Sequence, residues 1–153
     1  MPSFADMIKV EKNVEGVDSL RSALSQTITS KADEKLFKQV CKPVGIQIKN
    51  IKKTESISIR QASHKPRNPK HLADPDEMLA ISLLQKRKDV DSLWLDIDGK
   101  KHYFKRITVE KNCLSCHGAK SLVPSFVKAK YPGDRAYNFK EGDLRGVYHV
   151  KLN

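Results

Sequence analysis

Ser92-Leu93-Trp94-Leu95-Asp96-Ile97-Asp98-Gly99-Lys100-Lys101-His102-Tyr103-Phe104 is the stretch that sets the fold class. Leu93, Leu95 and Ile97 alternate with Trp94 and Asp96, the period of a half-buried strand, and Asp98-Gly99 is the dipeptide of a tight hairpin turn. A β-rich run from Lys101 to Val109 returns from it. A last strand is predicted over Leu144 to Leu152, with Tyr148, Val150 and Leu152 on one face.

Upstream the period changes. Val10, Val14, Val17, Leu20, Leu24 and Ile28 recur at spacings of three and four, which predicts a helix with one apolar stripe. A second helix is predicted from about Asp33 to Ile51, with Leu36, Phe37, Val40, Cys41, Val44 and Ile48 on a common face. Pro43 lies inside it, and a kink or restart is expected there because proline removes an amide donor. Ser56 to Arg60 reads as a short strand, and Ser63 to Asp74, with Pro66 and Pro69, as a loop on a fixed path. Asp74-Pro75 then caps a third helix ending at Lys86-Arg87-Lys88, with Met78, Ile81 and Leu84 as its core face. Pro124 to Lys130 reads as a short helix. Helices come first and strands last, without regular βα alternation, so the class is α+β with an antiparallel sheet.

Between the hairpin and the last strand stands Cys113-Leu114-Ser115-Cys116-His117, a C-x-x-C-H pattern. Two cysteines three apart share one face of a helical turn, where their thiols can bond a haem's vinyl groups while the adjacent histidine binds its iron. Zinc is a weaker reading, since no second C-x-x-C or H-x-x-x-H pair occurs, although Cys41, His102 and His117 could be gathered by folding. A thioredoxin-like pair would need a βαβ setting and has no use for His117. One covalently bound haem c is therefore the expected cofactor. Cys41 remains, and two readings of it stand: a small core residue on its apolar stripe, or an iron ligand. Met78, His64 and His71 are further ligand candidates, whereas His102 and His149 fall in strands. Arg67 and Arg145 either pair with haem propionates or brace backbone turns.

The 153 residues support one domain, 39% hydrophobic and 31% charged, with no apolar run near the roughly 20 residues of a membrane span. The net charge of +11 comes from lysines and arginines scattered along the chain. A solvated basic surface is the plainer account of them; the partners that fit are an acidic redox protein or an anionic membrane surface. Nucleic acid is excluded by the lack of a binding motif and by only 7% aromatic residues. No nucleophile-base pair or second metal site supports an enzyme. Met1 to Val10 carries no basic, apolar leader. Haem attachment of this kind is made outside the cytoplasmic membrane, so a periplasmic or extracytoplasmic protein is expected, with its leader or anchor outside this chain.

Cys41, Lys65-Pro66-Arg67-Asn68-Pro69, Cys113 to Gly118, Tyr131-Pro132-Gly133-Asp134-Arg135-Ala136 and Glu141-Gly142-Asp143-Leu144-Arg145-Gly146, in this order and spacing, resemble a known family. It is the single-haem c-type domain with a PAS-like fold, found as stand-alone cytochromes and as extracytoplasmic sensor parts of kinases and chemoreceptors. The resemblance runs from about Leu20 to Leu152, so residues 1–19 are read as an N-terminal helix near a leader or tether and 20–153 as the haem domain. It implies a haem held through Cys113 and Cys116, with His117 and Cys41 as axial ligands. A thiolate ligand favours ferric iron, so the expected function is low-potential electron transfer. The alternative is a redox or gas sensor domain, excised from a receptor, that takes CO or NO when the thiolate leaves.

Overall fold

The computed structural model describes residues 2–28 and 34–153; the side chains of Leu36 and Phe37, placed above on the second helix's apolar face, lie outside the described residues. Four strands form one antiparallel sheet in the order β1-β4-β3-β2, with β1 at Arg60–Ala62, β2 at Ser92–Ile97, β3 at Lys100–Thr108 and β4 at Leu144–Leu152. The hairpin is as predicted. Trp94 faces Tyr103 across it, and Asp98 and Gly99 both have positive φ, the backbone that matches the strands' right-handed twist. β1 starts later than expected: Ile57 and Ile59 are buried, but pairing begins at Arg60, because the left-handed Ser56 carries the chain out of the preceding helix before it can meet β4.

The pleat divides the sheet into two faces. Tyr103, Ile107, Tyr148 and Val150 point toward α1 (Phe4–Ser25) and α2 (Glu34–Glu55), where they join Val10, Val14, Val17, Val44 and Ile51 in the main core. Residues 19 and 20 lie in the middle of α1, which is continuous there, and its valines below that point belong to this core. Ser3 and Asp6 cap α1 reciprocally. Pro43 neither ends nor restarts α2; Val40 and Val44 are buried on either side of it, and this packing holds one helix together despite the missing amide. Among the described residues no helix is long and apolar enough to cross a membrane.

The other face takes α3 (Pro75–Lys86), through Ala80, Ile81 and Leu84 against Phe104 and Val147. Met78, expected on that core face, is 38% exposed. Its place is taken by Glu77, which is fully buried. Glu77 closes the helix cap with Asp74, accepts from Arg60 Nε at 3.0 Å, and accepts from His149 Nδ1 at 2.8 Å. His149 Nε2 then lies 2.8 Å from Nδ1 of His102, itself buried. Since a carboxylate only accepts, His149 carries its proton on Nδ1 and His102 donates to Nε2. A polar chain thus pins α3 to the sheet.

Burial opposes the charge on Glu77, but His149, the Asp74 amide and Arg60 together hold its carboxyl below the usual range. A depressed folded-state value means stability that is present above the unfolded value near 4.5 and is lost as pH falls through the lower folded one. Glu77→Gln is expected to lower stability at pH 7 by about 2 kcal/mol and to flatten the acid limb of the stability curve, measured by urea unfolding between pH 3 and 7.

Candidate functional site

The haem-type motif lies between β3 and β4, in a segment with little core of its own: Val109, Ala136 and Phe139, with Cys113 and Leu114 packed on them. Hydrogen bonds hold it instead. Glu110 accepts from the hydroxyls of Ser22, at 2.6 Å, and Ser25, tying the approach to the motif onto α1. A single helical turn, α4 (Leu114–His117), follows Cys113, and the amides of Asn138 and Phe139 donate to the carbonyls of Gly118 and His117. Gly118 fits because a Cβ there would stand 2.6 Å from the Leu114 carbonyl oxygen. Arg67 is buried beneath the turn, donating from Nη2 to the carbonyls of Cys116 at 2.6 Å and Ala136 at 3.1 Å. Its Nε lies 3.2 Å from Asp134, as an ion pair without hydrogen-bond geometry.

Cys113, Cys116, His117, Cys41 and Arg145, named from the sequence on separate segments, all line one cavity of about 920 Å³, its open mouth included. That is the upper part of the range for cofactor sites. His117 Nδ1 donates to the Ala136 carbonyl at 2.9 Å. A carbonyl can only accept, so the lone pair is left on Nε2, and Phe139 meets the ring edge-on. Burial, with Arg145 and Arg67 nearby, pushes the imidazole pKa well below its ordinary value, so the ring is neutral. A neutral imidazole oriented by a backbone carbonyl is the usual state of a metal-ligating histidine.

The surroundings of the two cysteines differ from those of a reactive dithiol. Burial pushes the thiols of Cys113 and Cys116 up, against the lowered values of thioredoxin-like pairs. Nor do they gather for zinc. Among the described residues the one group close enough to share an ion is Asp74, Glu77 and His149, where the Arg60 guanidinium already sits on the carboxylate. Cys41, Cys113, Cys116 and His117 face a common space without converging, as suits a large flat group rather than an ion. His102 is on the opposite face of the sheet. Cys41 is exposed by area because it opens onto the cavity, yet the protein around it raises its thiol pKa against the pull of Arg21, Arg67 and Arg145. Of the other ligand candidates, His71 lines the cavity, while His64 and Met78 do not.

Arg145 donates to Ser63 Oγ at 2.8 Å and to the Lys65 carbonyl, with no carboxylate in contact among the described residues. Burial and repulsion from Arg67 and Arg21 lower its pKa to about 10, the mark of a cation short of anionic partners. Arg21, also on the cavity, donates to Tyr148 Oη at 2.8 Å and to Gln61, and Tyr148 donates on to Asp18 at 3.0 Å. Sequence reasoning missed Arg21. Its signal was present: Val10, Val14, Val17, Arg21 and Ser25 form the stripe that is turned inward, and a charge on such a stripe asks for a partner. One guanidinium short of counter-charge, Arg145, with Arg21 beside it, a neutral imidazole and two thiols around one cavity fit a haem with its carboxylates.

Comparison with known proteins bears on this arrangement. A profile of the Tll0287-like family matches residues 7–153. The chain belongs to the Tll0287-like family. The crystal structure of the cyanobacterial heme-protein Tll0287 superposes with a TM-score of 0.88 at 36% identity, covering 99% of this chain and 96% of that one. No curated protein matches.

Replacing Arg67 by Ala strands Asp134 and two carbonyls under the motif, and is expected to lower stability by about 3 kcal/mol in a denaturant titration. Much of that loss should return when Asp134 is neutralised in the same chain.

Proposed function

We propose that the chain is a low-potential, single-haem c-type cytochrome of PAS-like architecture, working in electron transfer outside the cytoplasm. The observation that carries this reading is His117: a neutral ring, its Nδ1 proton given to Ala136, its Nε2 free beside two cysteines in a cofactor-sized cavity. The similarity to a heme-protein supports it. When bound, the haem supplies a one-electron couple.

Each residue has a defined task. Cys113 and Cys116 would carry the thioether links, and the adjoining His117 would hold the iron. Arg145 and Arg21 offer cations to the two carboxylates, while Arg67 keeps the motif's turn in place from below. Cys41 would supply the second ligand. Burial alone keeps its thiol protonated, and the three guanidinium groups favour the thiolate. The negative charge of a thiolate lowers the potential relative to a methionine ligand. His71 on the same cavity favours, as a second reading, a sensor domain in which Cys41 is exchanged. Carbon monoxide added to the reduced protein separates the two, since the carrier is expected to leave its spectrum unchanged.

Intact-mass spectrometry of matured protein should give the polypeptide plus one haem, and Cys113→Ala/Cys116→Ala the polypeptide alone; an unmodified wild-type mass would end this reading. In spectroelectrochemical titration Cys41→Ala is expected to raise the potential by on the order of a hundred millivolts or more.

A further inference from the structure

Some of the lysines that look scattered in the sequence fall together on α2. From Lys35 to Thr54 this helix carries six lysines and no carboxylate; Glu34 and Glu55 stand at its two ends. Lys35, Lys38, Lys42, Lys49 and Lys53 recur at three- and four-residue spacing around Ile46, and all are exposed. They form one stripe, opposite the buried Val40, Val44 and Ile51, roughly 27 Å long at 1.5 Å per residue. Among the described residues its only ion pair is Glu34–Lys38, exposed and 3.8 Å apart.

This stripe works against the helix that bears it. Lys38 and Lys42, and again Lys49 and Lys53, are like charges four residues apart, which destabilise a helix, and Lys35 lies in the first turn, the wrong end of the macrodipole for a cation. A merely solvated face would mix signs, as the Lys–Glu and Lys–Asp pairs elsewhere on the surface do. The same helix holds Cys41 on the cavity, so anything seated on the lysines is about one helix diameter, roughly 10 Å, from that cavity.

We propose that the lysine stripe of α2 is the docking surface for an acidic electron-transfer protein. The inference rests on the haem reading and supplies its partner. Charge complementarity selects the occupant: an acidic patch meeting five aligned ammonium groups gains encounter rate without needing apolar contact. A bilayer is the poorer fit, because Val40, Val44 and Ile51 of α2 are used in the core and, among the described side chains of the helix, Ile46 is the one large apolar group exposed to enter lipid. In the exchange the reduced donor loses one electron and the ferric haem gains it, becoming ferrous.

The test uses the haem-loaded protein and, as probe, an acidic plant-type [2Fe–2S] ferredoxin, low enough in potential to act as donor. Stopped-flow reduction at low ionic strength should slow about tenfold or more in K38E/K42E/K49E/K53E. The Lys→Gln version, which spares the fold from new charges, should fall between. K12E/K86E/K88E/K100E, with the same change in net charge on other surfaces, should slow less than about threefold, and the differences should collapse in about 0.5 M salt. Equal slowing by both sets, or none by the first, overturns the proposal. So does stripe-dependent pelleting of the wild type with phosphatidylserine vesicles in about 0.15 M salt, which would assign the stripe to a membrane. A wild type without haem removes the haem reading and this inference together, whereas haem-loaded variants of unchanged rate remove the docking surface alone.

Discussion

The site depends on one buried guanidinium. The segment from Lys111 to Asp143 has only short helical turns and a small apolar cluster, too little buried surface to hold the C-x-x-C-H turn by packing. Arg67 does this through Nη2, which donates to the carbonyls of Cys116 and Ala136 together, the two backbone positions that set where the motif's second thiol and the His117 ring stand. The Ala136 carbonyl, in accepting from His117, fixes the tautomer, and Asp134 anchors Arg67 while also accepting from the Ala136 amide. Placement, protonation and orientation of His117 are one connected network.

The sheet separates this chemistry from the device that fastens the third helix. On the α3 face, Glu77, His149, His102 and Arg60 compensate one another, and the face is otherwise filled by apolar side chains. On the other face, polarity concentrates at the end where α1 meets β4. Gly146 helps set that geometry, since a Cβ there would lie 3.2 Å from the Ala62 carbonyl carbon and closer still to its oxygen. The close passage of β1 over β4 brings Gln61, Ala62 and Ser63 to the cavity wall.

What the sequence disclosed was what is local. The Asp98-Gly99 turn, the Asp74-Pro75 cap and the helical turn of the C-x-x-C-H stretch are each written in a few adjacent residues, and all three have the local structure read for them. Less legible were features decided by partners distant in sequence. β1 begins where β4 can pair with it, not where Ile57 and Ile59 alternate. Met78 and Glu77 exchange places because a buried carboxylate finds Arg60 and His149, both beyond the reach of any helical period. That Cys41 shares a cavity with Cys113 was reached through resemblance; the apolar stripe of α2 leaves its role open.

The cavity's electrostatics set two influences against each other. A thiolate ligand stabilises the ferric state, while buried guanidinium groups nearby favour the form with one negative charge more. Arg21 and Arg145 line the wall, and Arg145 already carries the strain of its neighbours in a lowered pKa. Arg21 is answered by Tyr148 and Asp18, which favour its charge, so the unmet cation is Arg145, and a carboxylate brought in by a cofactor would relieve it. Loading the cavity should then stabilise the surrounding chain beyond the bonds made at the cysteines, because Arg145 is short of counter-charge without it.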